Sequence, residues 1–142
     1  MSCGVTLRTR LDAVVDLRER AKEKAERELA DAQRELSQRR SQLDAAREVA
    51  REDHRAAGEV SHWLLVEAGH ARALHLVRTQ EARVLQSVRG EGAARVKVGF
   101  VQRQLEVVQR AADRKRSELR SAGEKAESKQ LDQLASLLYS AR

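Results

Sequence analysis

The chain of 142 residues contains no proline, a single cysteine (Cys3), and one each of tryptophan, phenylalanine and tyrosine. Without proline, no residue forces a long helix to kink or end. One cysteine excludes a disulfide framework within the chain, and an intracellular compartment is the simplest expectation. Because aromatic residues are only 2% of the total, the chain lacks the large side chains of a globular core. These scarcities argue against a compact globular domain and against a disulfide-rich secreted one.

Signals for membrane insertion, export and catalysis are missing as well. No run of about 20 apolar residues is present, so we predict no transmembrane helix, and the start of the chain does not resemble a cleavable export signal. The four histidines are irregularly spaced and form no Cys/His set with metal-ligand spacing. Gly90-Glu91-Gly92 lacks the other residues of a phosphate-binding loop. We therefore expect no enzyme activity, no cofactor and no metal.

The chain does contain a heptad-like repeat of leucine, valine and alanine. In the first half, steps of four and three residues give the following stripe: Leu7, Leu11, Val14, Arg18, Ala21, Ala25, Leu29, Ala32, Leu36, Arg39, Leu43, Ala46 and Ala50. This spacing keeps one stripe on one side of a helix, as two helices need in order to bury a seam between them. A comparable stripe runs from Leu74 to Val88 and from Val98 to Ala126. We predict helices at about residues 5–57 and 73–139.

An irregular apolar stretch at about residues 58–72 separates the two stripes and predicts that the chain reverses near residue 70. The fold class is then all-α: one domain over residues 1–142, a long antiparallel two-helix coiled-coil hairpin. In the simplest register Val14 lies near Ala126 and Leu43 near Val98, although sliding one helix by seven residues preserves the seam. The second stripe slips in phase at Gly90–Gly92, which predicts a kink or break in the second helix.

The formal net charge of +6 is concentrated in the second half of the chain. Residues 1–57 carry 13 Lys and Arg against 12 Asp and Glu, whereas residues 72–116 carry 11 basic and four acidic residues. A basic segment is able to face an acidic protein, an anionic membrane or nucleic acid, or to be a solvated helix face. A nucleic-acid-binding coiled coil is therefore one alternative function. A scaffold or stator that dimerises in parallel is another, although we expect a monomeric hairpin.

Trp63, Leu64 and Leu65 form the most apolar part of the predicted tip. One interpretation packs Trp63 beneath the turn as a small local core. The other leaves these side chains partly exposed as an apolar anchor for a partner, because aromatic residues often dominate the binding energy of interfaces.

Two segments resemble the FliJ/YscO family, the central-stalk proteins of flagellar and virulence type III export systems. Residues Glu127-Ser128-Lys129-Gln130-Leu131-Asp132-Gln133-Leu134-Ala135 are similar to the closing pattern of the family, and Leu17–Ala25 is similar to its opening. Chain length, the hairpin pattern without proline, the balanced first helix and the mid-chain tryptophan also match. Gln133 stands where the family usually has glutamate, and the middle of the chain has fewer aromatic residues than flagellar members.

The resemblance implies a non-enzymatic stalk that is cytoplasmic and peripherally associated with the inner-membrane export apparatus. Its paired terminal helices would insert into the hexameric export ATPase, and its mid-chain region would contact the export-gate membrane protein. Some members also handle secretion chaperones, and no nucleic-acid partner is expected. Under this resemblance the gate contacts at the tip are Trp63, Leu64, Leu65 and Leu74, and the ATPase contacts on the terminal helices are Arg18, Arg20, Glu127, Lys129 and Asp132.

Overall fold

A computed structural model describes residues 8–52 and 59–140 of the protein, and these residues form two helices. Helix α1 is Arg10–Arg51 and helix α2 is Val60–Ser140. The two helices pack against each other, and the described ranges contain no strand. The predicted all-α helical hairpin is therefore confirmed.

The helix bounds differ from those that the repeat predicts. Residues 60–72, expected to be irregular, are the first turns of α2, which is 81 residues long against 42 for α1. Gly69 is the one glycine among them, and the helix tolerates it because a helical glycine costs only about 1 kcal/mol relative to alanine. Residues 5–7 and 53–58 of the predicted elements lie outside the described residues.

Helix α2 also continues without a break through Gly90–Gly92, where the sequence predicts an interruption. The less exposed positions of α2 keep strict heptad spacing through this point: Val77, Gln80, Val84, Ser87, Glu91, Ala94, Val98, Val101, Leu105, Val108 and Ala112. The apparent slip in phase arises because Ser87, Glu91 and Ala94 occupy seam positions with polar or small side chains. Counting only large apolar residues overlooks them.

The chain divides into two compact units, and residues 23–100 form the middle unit. Its buried apolar residues all occupy predicted stripe positions: Ala25, Leu36, Leu43 and Ala46. At the margins of the seam, Lys97 donates a hydrogen bond to Glu28, and Arg47 Nη2 donates one to Glu81 Oε1 over 3.1 Å. Because the later residue of α1 pairs with the earlier residue of α2, the helices are antiparallel.

Residues 1–22 and 101–142 form the terminal unit, described from residue 8 to residue 140. Its buried apolar residues are Leu105 and Ala112. Arg116 donates a hydrogen bond to Asp12, and Arg18 Nη1 donates one to Gln104 Oε1 over 2.5 Å. Polar contacts thus accompany a small apolar seam.

The helices pair about two heptads earlier along α2 than predicted. Leu43 was expected near Val98, but Arg47, one turn farther along α1, contacts Glu81. In the terminal unit Asp12 contacts Arg116, so Val14 does not reach the level of Ala126. The chain reverses between residues 51 and 60 instead of near residue 70, and heptad spacing alone cannot choose between registers that differ by multiples of seven.

Helix α1 begins with half of a capping box. The Asp12 carboxylate accepts a hydrogen bond from the backbone N–H of Thr9 at 2.6 Å, which satisfies one of the unpaired donors at the helix start. The Thr9 hydroxyl, which would complete the box, is buried and has no hydrogen-bond partner among the described residues. Asp12 therefore joins the start of α1 to Arg116 of α2.

Replacing both Gly90 and Gly92 by alanine is expected to raise the free energy of unfolding by about 1–2 kcal/mol. A Cβ atom added at either position meets nothing within 4 Å, and no glycine in the described part of the chain has a positive φ. The gain would be measured by urea unfolding followed by circular dichroism. Gly69→Ala serves as a single-site comparison and should give about half of that gain; a loss of stability in the double variant would contradict the continuous helix.

Acid is expected to destabilise the hairpin through Asp12 and Glu28. The backbone N–H of Thr9, followed by the guanidinium of Arg116, lowers the pKa of Asp12, and the hydrogen bond from Lys97 lowers the pKa of Glu28. Because the folded pKa values lie below the unfolded ones, these carboxylates stabilise the fold above pH about 4, and that stability is lost as the pH falls through the lowered values.

The measurement is the melting temperature of the wild type and of Asp12→Asn/Glu28→Gln between pH 7 and pH 2.5. The variant should melt below the wild type at pH 7, and the gap should narrow as the pH falls. A gap that stays constant across this range would contradict the assignment of the pKa shifts to these two carboxylates.

Candidate interaction surfaces

The last part of α2, residues 117–140, is exposed at every position. We call it the C-terminal segment. It begins just beyond Arg116, which contacts Asp12 in the first turn of α1. Among the described residues, α1 therefore provides no packing partner for this segment, which comprises more than six helical turns.

The C-terminal segment carries two apolar rows on different sides of the helix. The first continues the heptad spacing of the seam through Leu119, Ala122 and Ala126. The second, the C-terminal leucine row, consists of Leu131, Leu134 and Leu138, whose exposed fractions lie between 56% and 73%. At about 100° per residue, the leucine row lies about 120° around the helix from the first row. It therefore does not extend the seam, and no described residue of α1 covers it.

The ATPase-contact residues implied by the family resemblance do not form one surface. Arg18 lies between the helices, where it bonds to Gln104, and its Nε atom is buried without a hydrogen-bond partner among the described residues. Arg20 is exposed on α1. Glu127, Lys129 and Asp132 are exposed in the C-terminal segment, but their spacing places Glu127 about 200° from Lys129 and about 140° from Asp132 around the helix.

Sequence reasoning did not identify Leu131, Leu134 and Leu138 as a separate row. The step of five residues from Ala126 to Leu131 is the signal that could have revealed it, because a heptad seam advances by three or four.

The beginning of α2 is the most apolar exposed part of the middle unit. Val60, Trp63, Leu64 and Glu67 line an open groove of about 310 Å³. Trp63 is partly exposed, and Leu74, eleven residues or about three turns later, lies on the same side of the helix. Leu65 is exposed on the opposite side. The groove thus brings together two of the four predicted gate residues, Trp63 and Leu64.

The interpretation that packs Trp63 beneath the turn involves residues 53–58, which lie outside the described part of the chain. Within the described part, the exposed side chains of this region are apolar enough to anchor a partner.

The basic excess between residues 72 and 116 is partly neutralised by neighbouring carboxylates. Arg95 pairs with Glu91 at 2.5 Å, and Lys115 pairs with Glu118 at 3.1 Å. Lys97 and Arg116 pair with carboxylates of α1 in the middle and terminal units respectively. At least four of the eleven basic side chains therefore have an acidic partner, which reduces the charge available to a polyanion.

In residues 8–52 and 59–140, no group of three or more histidine, cysteine or acidic side chains is arranged to hold a metal ion. Neither helix contains, within those ranges, a stretch long and apolar enough to cross a membrane.

A family model described as "Flagellar FliJ protein" matches residues 7–142. No curated protein and no solved structure matches the chain. The family match covers both helices and confirms the resemblance drawn from Leu17–Ala25 and Glu127–Ala135. The chain belongs to the FliJ family and is thereby associated with flagellar protein export.

Proposed function

We propose that the protein is a non-enzymatic central stalk of the flagellar export apparatus, which inserts its terminal unit into the hexameric export ATPase and links that ring to the export gate. The observation that carries this proposal is the C-terminal segment, exposed at all of its positions in a chain whose family is flagellar. A helix that exposes an unpartnered apolar row in water is suited to bury that row against another protein.

The leucine row would provide the apolar contact with the ATPase. The charged residues around it, among them Glu127, Lys129 and Asp132, would provide polar contacts that can be exchanged between neighbouring subunits of a ring. A surface of mixed charge suits a shaft that adopts several orientations, since no single greasy interface fixes it in place.

The start of α2 would meet the gate. Val60, Trp63 and Leu64 present exposed apolar surface around a groove, and an aromatic side chain in such a setting is able to anchor a partner. This assignment places the protein on the cytoplasmic side of the inner membrane, associated with the export apparatus through its partners. Secretion chaperones are a further class of partner that the family implies.

Coupling between ATPase and gate then requires that the stalk bind differently to different states of the ring. A protein shifts a conformational equilibrium only by its difference in affinity for the two states. The stalk would therefore act by favouring the assembled or catalytically competent hexamer, without carrying out chemistry itself.

The experiment combines the full chain with the export ATPase of the same organism. Hexamer formation would be followed by light scattering, and ATP turnover by phosphate release, at several ratios of the two proteins. The proposal expects a shift to the hexamer and a rise in turnover that saturates near one stalk per ring. If the two proteins neither bind nor change each other's assembly or turnover, the stalk role is wrong.

A further inference from the structure

The solvent-facing side of α2 in the middle unit carries a row of apolar and basic side chains that the proposed stalk function does not use. We call it the outer row, and its members are Arg78, Leu85, Arg89, Val96 and Phe100. Their spacing alternates between seven and four residues. At about 100° per residue, all five fall within about 60° of the helix surface.

The outer row lies on the opposite side of α2 from the seam residues Val84, Ser87 and Glu91. Helix α1 packs on that seam, so it cannot cover the outer row. Leu85, Val96 and Phe100 are accordingly between 54% and 71% exposed. Three large apolar side chains aligned on a solvated helix face are a sign of an interaction surface.

The charge on this side of the helix has one sign. Between residues 78 and 100 the two acidic side chains are Glu81 and Glu91, and both already have partners, Arg47 and Arg95. In the described part of the chain, no ion pair or hydrogen bond engages the guanidinium of Arg78 or Arg89. The outer row therefore offers apolar contacts and two uncompensated positive charges.

We propose that the outer row is a docking site for an acidic amphipathic α-helix of a partner protein. Leu85 and Val96 are eleven residues apart, as are Arg78 and Arg89, so each pair repeats after about three turns, or about 16 Å. A second helix lying along α2 repeats its own side chains at the same interval, which lets leucines meet the apolar members while carboxylates meet the arginines.

Small side chains beside the row support a helical partner. Ala82 and Ala93 are exposed on the same side of α2, and Gly92 lies beside the row, between Arg89 and Val96 along the helix. These small side chains leave room beside the large ones, so the backbone of a partner helix can approach α2 closely. A lipid surface would call for a broader apolar face, and nucleic acid would call for more arginines and more than one stacking ring.

The test measures binding of the full chain to a synthetic helical peptide of about 22 residues, with leucine at every third or fourth position and glutamate beside each leucine. A second peptide carries lysine in place of each glutamate. Fluorescence anisotropy of labelled peptide at 0.15 M salt gives the affinities. The glutamate peptide should bind saturably, and the lysine peptide should not.

Variants of the full chain locate the binding. Arg78→Glu/Arg89→Glu should lower the affinity for the glutamate peptide at least about tenfold, because charge reversal turns two attractions into repulsions. Leu85→Gln/Val96→Gln should also lower this affinity, while the helix content measured by circular dichroism stays unchanged. The matched control is Lys24→Glu/Arg40→Glu, the same change in net charge at exposed positions of α1 in the same unit, and it should stay within about twofold of the wild type.

Three outcomes would overturn the proposal. The first is that the glutamate peptide does not bind saturably. The second is that the control pair weakens binding of this peptide as much as the outer-row pair does. The third is that, when phosphatidylglycerol vesicles and single-stranded DNA are tested in the same way, the outer-row variants lose affinity only for one of these and not for the peptide. These experiments involve neither the ATPase nor the C-terminal leucine row, so their failure leaves the stalk role unaffected.

Discussion

Replacing Leu131, Leu134 and Leu138 together by glutamine is expected to weaken binding to the export ATPase at least about a hundredfold, while the melting temperature of the hairpin stays the same. Each of these leucines is more than half exposed in the free protein, so its replacement removes no packing within the described chain. Burial of a leucine on a partner contributes about 1.5–3 kcal/mol, and losing three such contacts exceeds the 2.7 kcal/mol that corresponds to a hundredfold change.

The control variant also introduces three glutamines into the C-terminal segment, but on a different side of the helix from the leucine row. Ser121→Gln, Lys125→Gln and Ser128→Gln alter exposed polar positions of the same segment and should leave binding within about threefold of the wild type. Affinity would be measured by titrating labelled protein with ATPase, and stability by thermal unfolding. Equal losses in the two triple variants would show that the leucine row is not the contact, even if the protein proves to be a stalk.

The sequence predicted the fold class and most of the α1 stripe, and it did so because both depend on spacing. Every buried apolar residue of the middle unit was on that stripe. One local difference is at Val14 and Val15, where the predicted Val14 is the more exposed of the two. Neighbouring positions of a helix are about 100° apart, so two adjacent valines compete for one seam position, and packing decides between them.

Register and helix bounds could not be predicted in the same way. A heptad seam looks alike after a shift of seven residues, so the sequence left several pairings open. The contact of Glu28 with Lys97 depends on charged groups at the margin of the seam, which a count of apolar positions ignores. Buried Gln80 and the seam residues Ser87 and Glu91 are polar, so a search for apolar stripes passes over them.

The candidate surfaces were predicted only in part, for a related reason. Trp63 and Leu64 were recognised because large apolar residues near a reversal of the chain stand out in any sequence. Arg18, for which the resemblance predicts a partner contact, donates a hydrogen bond to Gln104 of α2 in the free protein. Which charged residues of a coiled coil face a partner depends on the register, and an error of two heptads in register leaves different parts of α2 unpaired.

Leu43→Ala is expected to be the most damaging single truncation in the middle unit, lowering the free energy of unfolding by about 2–5 kcal/mol. Leu43 is 6% exposed, and the other buried apolar side chains described in that unit are Leu36 and two alanines, so Leu36 and Leu43 are its two large buried side chains. The matched control is Leu17→Ala, since Leu17 is 65% exposed and its truncation should cost no more than about 0.5 kcal/mol. Urea unfolding followed by circular dichroism measures both, and equal costs would contradict the seam. Because small domains are commonly stable by only about 5–15 kcal/mol in total, a loss of this size is a large fraction of the total stability.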